Sequence, residues 1–509
     1  MDNYLNKPLL TLYFLPFIFG CLTVFSFQPF NFTIINFVIL PLFFYLVIYI
    51  KKKSKSIYRK KPYKKNLFIY GTAFGFGFYL SGIHWINYSL TFDESFKILI
   101  PIGIILIPLF LSLFFSFTIL ISAPFLNLNI ASIFIFSGTL AISDFLRAKI
   151  LSGFPWNLWV YSFSWSTEII QILNKVGLFA FNLISITIFM LPAVLFLKIN
   201  LSKKFFSLLL ILLTILVFYI YGNHSLNKNL KELKLIDEKF NIKVISPNFK
   251  LSYNLTSDEI IERYKKLIRY SEPVNNNKTL FIWPEGVFSG YSYSDIQILK
   301  KLFTKNFDES HYILFGINRL DKKNNKYYNS LIIINNRMEI LQEYKKQKLV
   351  PFGEFLPFEK LLNKFGVKKI TEGYGSFLKG DKQDNLVIDK LNILPLICYE
   401  IIFTELTQNS DKKTNLIINI SEDGWFGDTI GPHQHFIKSI YRAVEQDLFV
   451  LRSANKGISA IIDNKGRIVK KLNHNEAGSI QLEVPLIKSK NRNKNDLIFF
   501  VLLFTYCFI

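Results

Sequence analysis

Apolar residues arrive in long runs along the first part of this chain and in short runs after about Gly222, and that change divides the sequence in two. A helix crossing a bilayer needs about 20 apolar residues. Runs of that kind occupy 9–26, 31–50, 66–87, 98–122, 128–146, 173–198 and 204–221, with a shorter one at 497–509. The pattern predicts about seven membrane helices followed by a polar part and a C-terminal membrane helix. Only Lys7 stands as a cation before the first run and no small-residue cleavage site follows it, so it reads as a retained helix rather than a leader.

The polar part has a different rhythm. Short apolar runs, KVISPNF (243–249), LFIWPE (280–285), YILFGI (312–317), SLIIINN (330–336), LPLICYE (394–400), NLIINIS (415–421), LFVLRSA (448–454) and ISAIID (458–463), alternate with helical patterns such as that over 256–271. Such alternation predicts an α/β domain of about 250 residues whose strands are buried on both faces. The expected division is a helical membrane domain over 1–222, an α/β domain over 223–490 and a last membrane helix over 491–509.

Composition supports the membrane reading. Of 509 residues, 50% are hydrophobic and only 19% charged, 53 are Phe, and the mean hydropathy is +0.28, too apolar for an ordinary soluble chain. The net charge of +23 follows a general excess of Lys, and no nucleic-acid recognition motif accompanies it, so anionic lipid is the better partner. The segment Lys51 to Lys65 holds nine Lys or Arg and no acid, which places it in the cytoplasm by the positive-inside rule. Counting spans outward from it leaves the N-terminus inside and the polar domain outside. The basic run Lys488 to Lys494 opposes this orientation, but charges flanking a long translocated domain weigh little. Gly71, Gly75, Gly77 and Gly82 in the third run predict close helix packing, and Trp156, Trp159, Tyr161 and Trp165 predict an aromatic belt or a lipid portal.

Of three cysteines, Cys21 and Cys507 fall in apolar stretches, so the polar domain holds only Cys398 and has no internal disulfide. Cys398 ends one apolar run, Glu285 ends another and Lys346 precedes a third, and catalytic groups in α/β folds collect at strand ends. A thiol nucleophile needs a base, and acyl transfer needs a positive donor at the oxyanion; Cys398, Glu285 and Lys346 supply all three. No G-x-S-x-G, CxxC or HExxH competes, and His433 and His435, two apart, read as packing or hydrogen-bonding residues rather than metal ligands.

These residues sit in WPEG (283–286), YKKQKLVPFGEFLP (344–357), ICYE (397–400), DGWFGD (423–428), GPHQH (431–435) and RSANKGISAIID (452–463). In that order they resemble the motifs of the apolipoprotein N-acyltransferase family, a membrane branch of the nitrilase (carbon-nitrogen hydrolase) superfamily. GFGFYLSGIHWI (75–86) and SGFPW (152–156) resemble its membrane segments.

The resemblance implies a nitrilase-like αββα sandwich, Glu285 as general base, Lys346 as oxyanion stabiliser and Cys398 as acylated nucleophile. Glu354, Tyr399, Glu400, Trp425 and Phe426 match supporting or substrate-binding positions. Lys346 is preferred to Lys345 and Lys348 because the lysine of the family it resembles lies two after the Tyr and eight before the Glu of the PFGE segment, as Lys346 does from Tyr344 and Glu354. The implied substrates are a phospholipid acyl donor and a diacylated apolipoprotein, without metal or cofactor, at a bacterial inner membrane with the catalytic domain periplasmic. SPNFKLSYN (246–254) departs from the family's pattern, with Tyr253 its nearest aromatic, and Glu422 stands where the family has Asn. Two other classes fit less of the sequence: a tethered amidase for small soluble amides, which one span would serve, and a silent lipid-binding scaffold, which needs no Glu-Lys-Cys set.

Overall fold

The computed structural model of the chain describes residues 7–54, 60–359, 364, 376–408, 413–488, 496–506 and 508. The basic run at 489–494, part of the Lys51–Lys65 segment and Cys507 lie outside the described residues. The chain divides into two compact units, Met1–Ser225 with Lys494–Ile509, and Leu226–Asn493.

The first unit is helical. Among the described residues, the helical stretches Thr33–Lys53, Glu94–Phe125, Ile130–Lys149, Leu178–Phe196 and Leu201–Lys234 are long and apolar enough to cross a membrane. Tyr63–Ile83 is a further helix, and Leu10–Ser26 and Leu497–Tyr506 are shorter apolar ones. Two boundaries differ from the sequence pattern. The run at 173–198 breaks at Gly177, whose φ of 82° ends one short helix before another starts at Leu178. The run at 204–221 does not stop at Gly222; the helix continues to Lys234 because no proline interrupts it. Gly222 is required inside that helix, since a Cβ there would collide with the carbonyl of Glu168.

Small residues bring the helices of this unit together. A Cβ on Gly20 would meet the Phe74 carbonyl, one on Gly77 the Phe17 carbonyl, and one on Gly75 would lie 2.7 Å from Ser112 Cα. Helices in lipid gain little from burying apolar surface against each other, so backbone approach of this kind supplies the packing energy. Buried polar groups add direction: Asp144 accepts from Arg147 at 2.9 Å and from Asn182 at 2.9 Å, while Arg147 also donates to the Phe154 carbonyl. That network fixes the Gly153–Trp156 turn, and it corrects the aromatic-belt reading. Trp156, Trp159 and Tyr161 are buried in the unit, the Trp156 ring tilted at 45° to that of Trp85 with centroids 4.6 Å apart, and of these four only Trp165 is exposed.

The second unit holds two six-stranded sheets. The first has the order β12-β1-β2-β3-β4-β5, with β1 Lys239–Ser246, β2 Thr279–Ile282, β3 His311–Asp321, β4 Lys326–Ile334, β5 Ile340–Lys345 and β12 Gly478–Pro485. The second has the order β11-β10-β9-β8-β7-β6, with β6 Leu386–Ile388, β7 Leu391–Ile397, β8 Leu416–Glu422, β9 Phe449–Asn455, β10 Ser459–Ile462 and β11 Ile468–Leu472. In each sheet three central strands run parallel, β1-β2-β3 and β7-β8-β9, and the outer ones are antiparallel. The parallel strands are the continuous apolar runs expected of strands covered on both faces.

Helices cover the outer faces. Ser257–Ser271 starts on a capping box, Thr256 with Glu259, and lays Ile260, Tyr264 and Leu267 against Phe281 and Trp283 of the first sheet's core. Hydroxyls stitch the inner faces, Ser453 donating to the Ile245 carbonyl at 2.6 Å. The architecture is the αββα sandwich.

The small-residue packing gives a matched test. Gly77→Ala should lower the thermal unfolding midpoint of the detergent-solubilised chain, at a cost of about 1–3 kcal/mol from overpacking. Gly138→Ala, where the nearest atoms to a Cβ lie 3.6 Å and 3.8 Å away, should leave it unchanged or higher. Equal midpoints for the two variants would show that backbone contact at Gly77 is not what holds these helices.

Candidate active site

Three strand ends converge in the second unit. Glu285 follows β2 in the turn Trp283-Pro284-Glu285, Lys346 directly follows β5, and Cys398 directly follows β7. Each departure from the ladder has a local cause. Trp283 is fully buried and donates to the Ser271 hydroxyl at 3.0 Å, pinning the start of the first turn. Cys398 has φ +53°, a left-handed conformation that non-glycine residues rarely hold and that commonly marks a functional turn.

Lys346 is the centre of the cluster. Its side chain is 1% exposed, and its ammonium donates to Glu354 Oε1 at 2.9 Å and lies 3.6 Å from Glu285 Oε1. Burial alone would lower its pKa, but the carboxylates of Glu354 and Glu285 hold it well above the usual lysine value. Asn329 joins the two carboxylates, donating to Glu285 Oε1 at 2.8 Å and to Glu354 Oε1 at 2.7 Å. The second oxygen of Glu285 accepts the main-chain N–H of Glu422 at 3.1 Å, so both of its oxygens are fixed.

The thiol of Cys398 is buried, which pushes its pKa up; Glu285 pushes it further, and Lys346 opposes both. It therefore rests as a thiol and yields a thiolate only as a proton leaves. The competing lysines are otherwise engaged: Lys345 lies over the Tyr328 ring at 4.2 Å, and Lys348 pairs with Glu405 at 3.0 Å.

Glu400 has no exposed surface and organises two of the strand ends. It accepts from the Ile397 N–H at 2.8 Å, the Gln347 N–H at 2.7 Å, the Lys348 N–H at 2.9 Å and the Tyr344 hydroxyl at 3.1 Å. One carboxyl thereby holds the loop beside Lys346 against the turn that carries Cys398. Tyr399 is buried with its ring 4.9 Å from Phe403, edge to face, and its hydroxyl finds no partner among the described residues. Trp425 lies in the turn Asp423–Phe426 with its ring 6.0 Å from Tyr253, and Phe426 stands edge-on to His435 at 5.2 Å.

Two family models match the chain. The carbon-nitrogen hydrolase model matches residues 247–490, and the apolipoprotein N-acyltransferase N-terminal domain matches residues 19–191. An apolipoprotein N-acyltransferase of Rickettsia typhi is 34% identical over 453 residues, covering 86% of this chain and 88% of that one. One from Brucella melitensis is 30% identical over 431 residues, covering 82% and 79%. The chain belongs to the apolipoprotein N-acyltransferase family. Among solved structures, Saccharomyces cerevisiae Nit3, a member of branch 10 of the nitrilase superfamily, aligns with 18% identity and a TM-score of 0.37, covering 49% of this chain and 91% of that one. The chain carries both the apolar helices and the carbon-nitrogen hydrolase domain, and it is a membrane protein and an acyltransferase.

Several residues of the site escaped the sequence reading. Asn419 donates to the Leu396 carbonyl at 3.1 Å and the Cys398 carbonyl at 3.2 Å, and accepts from Arg452. Arg452 donates in turn to Asp423 at 2.7 Å, and Asp423 is bonded to His435 at 3.0 Å. Buried beside Arg452 and His435, Asp423 is held well below the usual carboxylate range although desolvation opposes it, and burial lowers His435 to about 4. This rigid polar chain backs the cysteine turn and the Trp425 turn together. A signal was present: Asn419 and Arg452 interrupt otherwise apolar buried strands, where a polar side chain must have a partner. Asn329, in YYNSLIII, had no such contrast. Among the described residues no group of three metal-ligating side chains forms.

Glu400 generates a pH test. Burial raises it from 4.5 to about 7, although Lys346 and three main-chain donors pull it down. A carboxyl raised in the folded state stabilises the fold fully below its unfolded pKa and loses that contribution as pH rises through the folded value. The native chain should therefore lose stability between about pH 4.5 and 7, a slope made shallower in Glu400→Gln, where the raised carboxyl of Glu422 remains, and the variant also loses about 1–3 kcal/mol from donors left poorly satisfied. Thermal unfolding across that range is the measurement; parallel curves for the two proteins would remove Glu400 as the titrating group.

Proposed function

We propose that this N-acyltransferase moves a fatty acyl chain from a phospholipid, through a thioester on Cys398, to the α-amino group of an N-terminal S-diacylglyceryl-cysteine on an apolipoprotein. The observation that carries the reading is the buried ammonium of Lys346, held between Glu354 and Glu285 beside a buried thiol. A carboxylate, a fixed cation and a thiol in one dry cluster meet the needs of acyl transfer.

In the first half-reaction Cys398 Sγ attacks the ester carbonyl while its proton passes to Glu285. The carbonyl oxygen takes up the negative charge, and Lys346 stabilises it. The C–O bond to the lysophospholipid breaks, and Glu285 returns the proton to the leaving oxygen, which leaves a thioester. In the second half-reaction the free amine attacks the thioester carbonyl, Glu285 takes a proton from the nitrogen, the C–S bond breaks and the proton returns to sulfur. Amide and free thiol result, with no external reductant or oxidant. Glu354 and Asn329 keep Lys346 and Glu285 aligned through both halves.

A membrane-spanning unit on the same chain suits a donor whose acyl tails hardly enter water, because tethering replaces a rare encounter with a local one. The Lys and Arg of the 51–65 segment support a cytoplasmic loop, a periplasmic catalytic unit and residence in the bacterial inner membrane.

The full chain in phospholipid vesicles should acquire one acyl mass on the peptide containing Cys398, and lose it on addition of a diacylglyceryl-cysteine peptide. Glu285→Gln should slow thioester formation by about 10²- to 10⁴-fold, and Cys398→Ala should abolish both steps. Transfer surviving in Cys398→Ala, or an acyl group found on another residue, would overturn the thioester route.

A further inference from the structure

Glu422 ends β8 and is buried beside the base, yet among the described residues no cation lies within ion-pair distance of it. Its main-chain N–H donates to Glu285 Oε2 at 3.1 Å. Its carboxyl turns away and accepts from the Gly424 N–H at 2.9 Å with one oxygen and from Asn455 Nδ2 at 2.8 Å with the other. Asn455 in turn brackets Phe249, accepting from its N–H at 2.7 Å and donating to its carbonyl at 3.0 Å. Gly286, next to the base, has φ +73°, and a Cβ there would lie 3.1 Å from Glu422 Oε2.

Glu422 thus bonds the turn 423–426 directly and reaches the loop after β1 through Asn455, and these two segments carry Trp425 and Tyr253, whose rings meet at 6.0 Å. We propose that Glu422 is a positioning residue for the acyl-transfer centre: through its amide it orients Glu285, and through its carboxyl it locks that base to the two aromatic-bearing loops by way of Gly424 and Asn455. This rests on the acyl-transfer role of Glu285 and Cys398 proposed above.

The charge state of Glu422 gives a readout that packing alone would not move. The charged groups facing it are Glu285 from the turn after β2, Asp423 beside it and Arg263 from the helix Ser257–Ser271, with Lys456 of the β9–β10 turn against Gly424. Burial raises its carboxyl to about 8 although Asn455 and Gly424 pull it down, and Glu285 and Asp423 raise it further. Above that pH a second negative charge stands next to Glu285 and opposes the thiolate and oxyanion that acylation must form.

The test uses the full chain in phospholipid vesicles with a diacylglyceryl-cysteine peptide, comparing wild type, Glu422→Gln, Glu422→Ala and Cys398→Ala, with unfolding midpoints measured alongside. Glu422→Ala should lower kcat by about tenfold to a hundredfold, the scale of a misplaced catalytic group, while KM stays within about threefold. Glu422→Gln should recover most of that loss at neutral pH, and the wild type should decline above about pH 8 while Glu422→Gln does not. A wild-type kcat in Glu422→Ala, a loss that only tracks unfolded protein, or coincident pH profiles for wild type and Glu422→Gln would overturn the inference. Activity persisting in Cys398→Ala would instead overturn the thioester reading, so the two failures are distinguishable.

Discussion

The catalytic unit is built around a buried cation. An ammonium taken out of water loses several kcal/mol of hydration, and the fold must return that through partners of fixed geometry. Lys346 receives it from Glu354 and Glu285, and Asn329 keeps the two carboxylates from drifting apart. Much of the local backbone follows from this demand. The chain folds back between Lys346 and Glu354 so that Glu354 can reach the ammonium, with its second oxygen accepting the Val350 N–H at 2.9 Å. The Lys346 carbonyl accepts the Gly380 N–H at 2.8 Å, and Glu400 clamps the next two amides. Removing the cation would leave the buried Glu354 and the half-buried Glu285 carboxylates facing one another, which is why this interaction constrains the rest.

The membrane unit solves the opposite problem. Lipid solvates its apolar side chains as well as protein does, so its cohesion comes from close backbone approach at Gly20, Gly75 and Gly77 and from the Asp144–Arg147–Asn182 network. Both units therefore rely on few, geometrically strict polar contacts, but for different reasons. In the membrane unit the buried Arg147 is neutralised by Asp144, and in the second unit the buried Lys346 is held between Glu354 and Glu285.

What the sequence made legible were features with strong local contrast. Long apolar runs marked the membrane helices, and continuous β-rich runs marked β1 to β4 and β7 to β10 within a few residues. The outer strands β5, β6, β11 and β12 went unread because they are short or half-exposed; Ile468–Leu472 buries only Leu472. The helix that carries the apolar run 204–221 continues to Lys234 because helical structure outlasts the apolar pattern, and Gly222 inside it serves contact with Glu168. At the site, residues that end apolar runs stood out, and Lys346 separated from Lys345 and Lys348 only by its spacing to Tyr344 and Glu354. The structure gives that spacing a physical sense, since Tyr344 reaches Glu400 and Lys346 reaches Glu354. Asn329, Asn419, Arg452 and Asn455 act on the site from distant strands, and no local pattern encodes such long-range pairing.

The resting state of the thiol bears on how such an enzyme avoids wasting its intermediate. Burial and Glu285 both push the Cys398 thiol up, so on the thioester route proposed above nucleophilic sulfur would form only as a proton leaves it. A permanently ionised thiolate would react with any electrophile that reached it. On the route proposed above, the same burial that raises the thiol would also keep water from a thioester, so one physical condition would serve both halves of the reaction. Such a route needs a proposed base of fixed position, and Glu285 is held at one oxygen by Asn329 and at the other by the Glu422 amide.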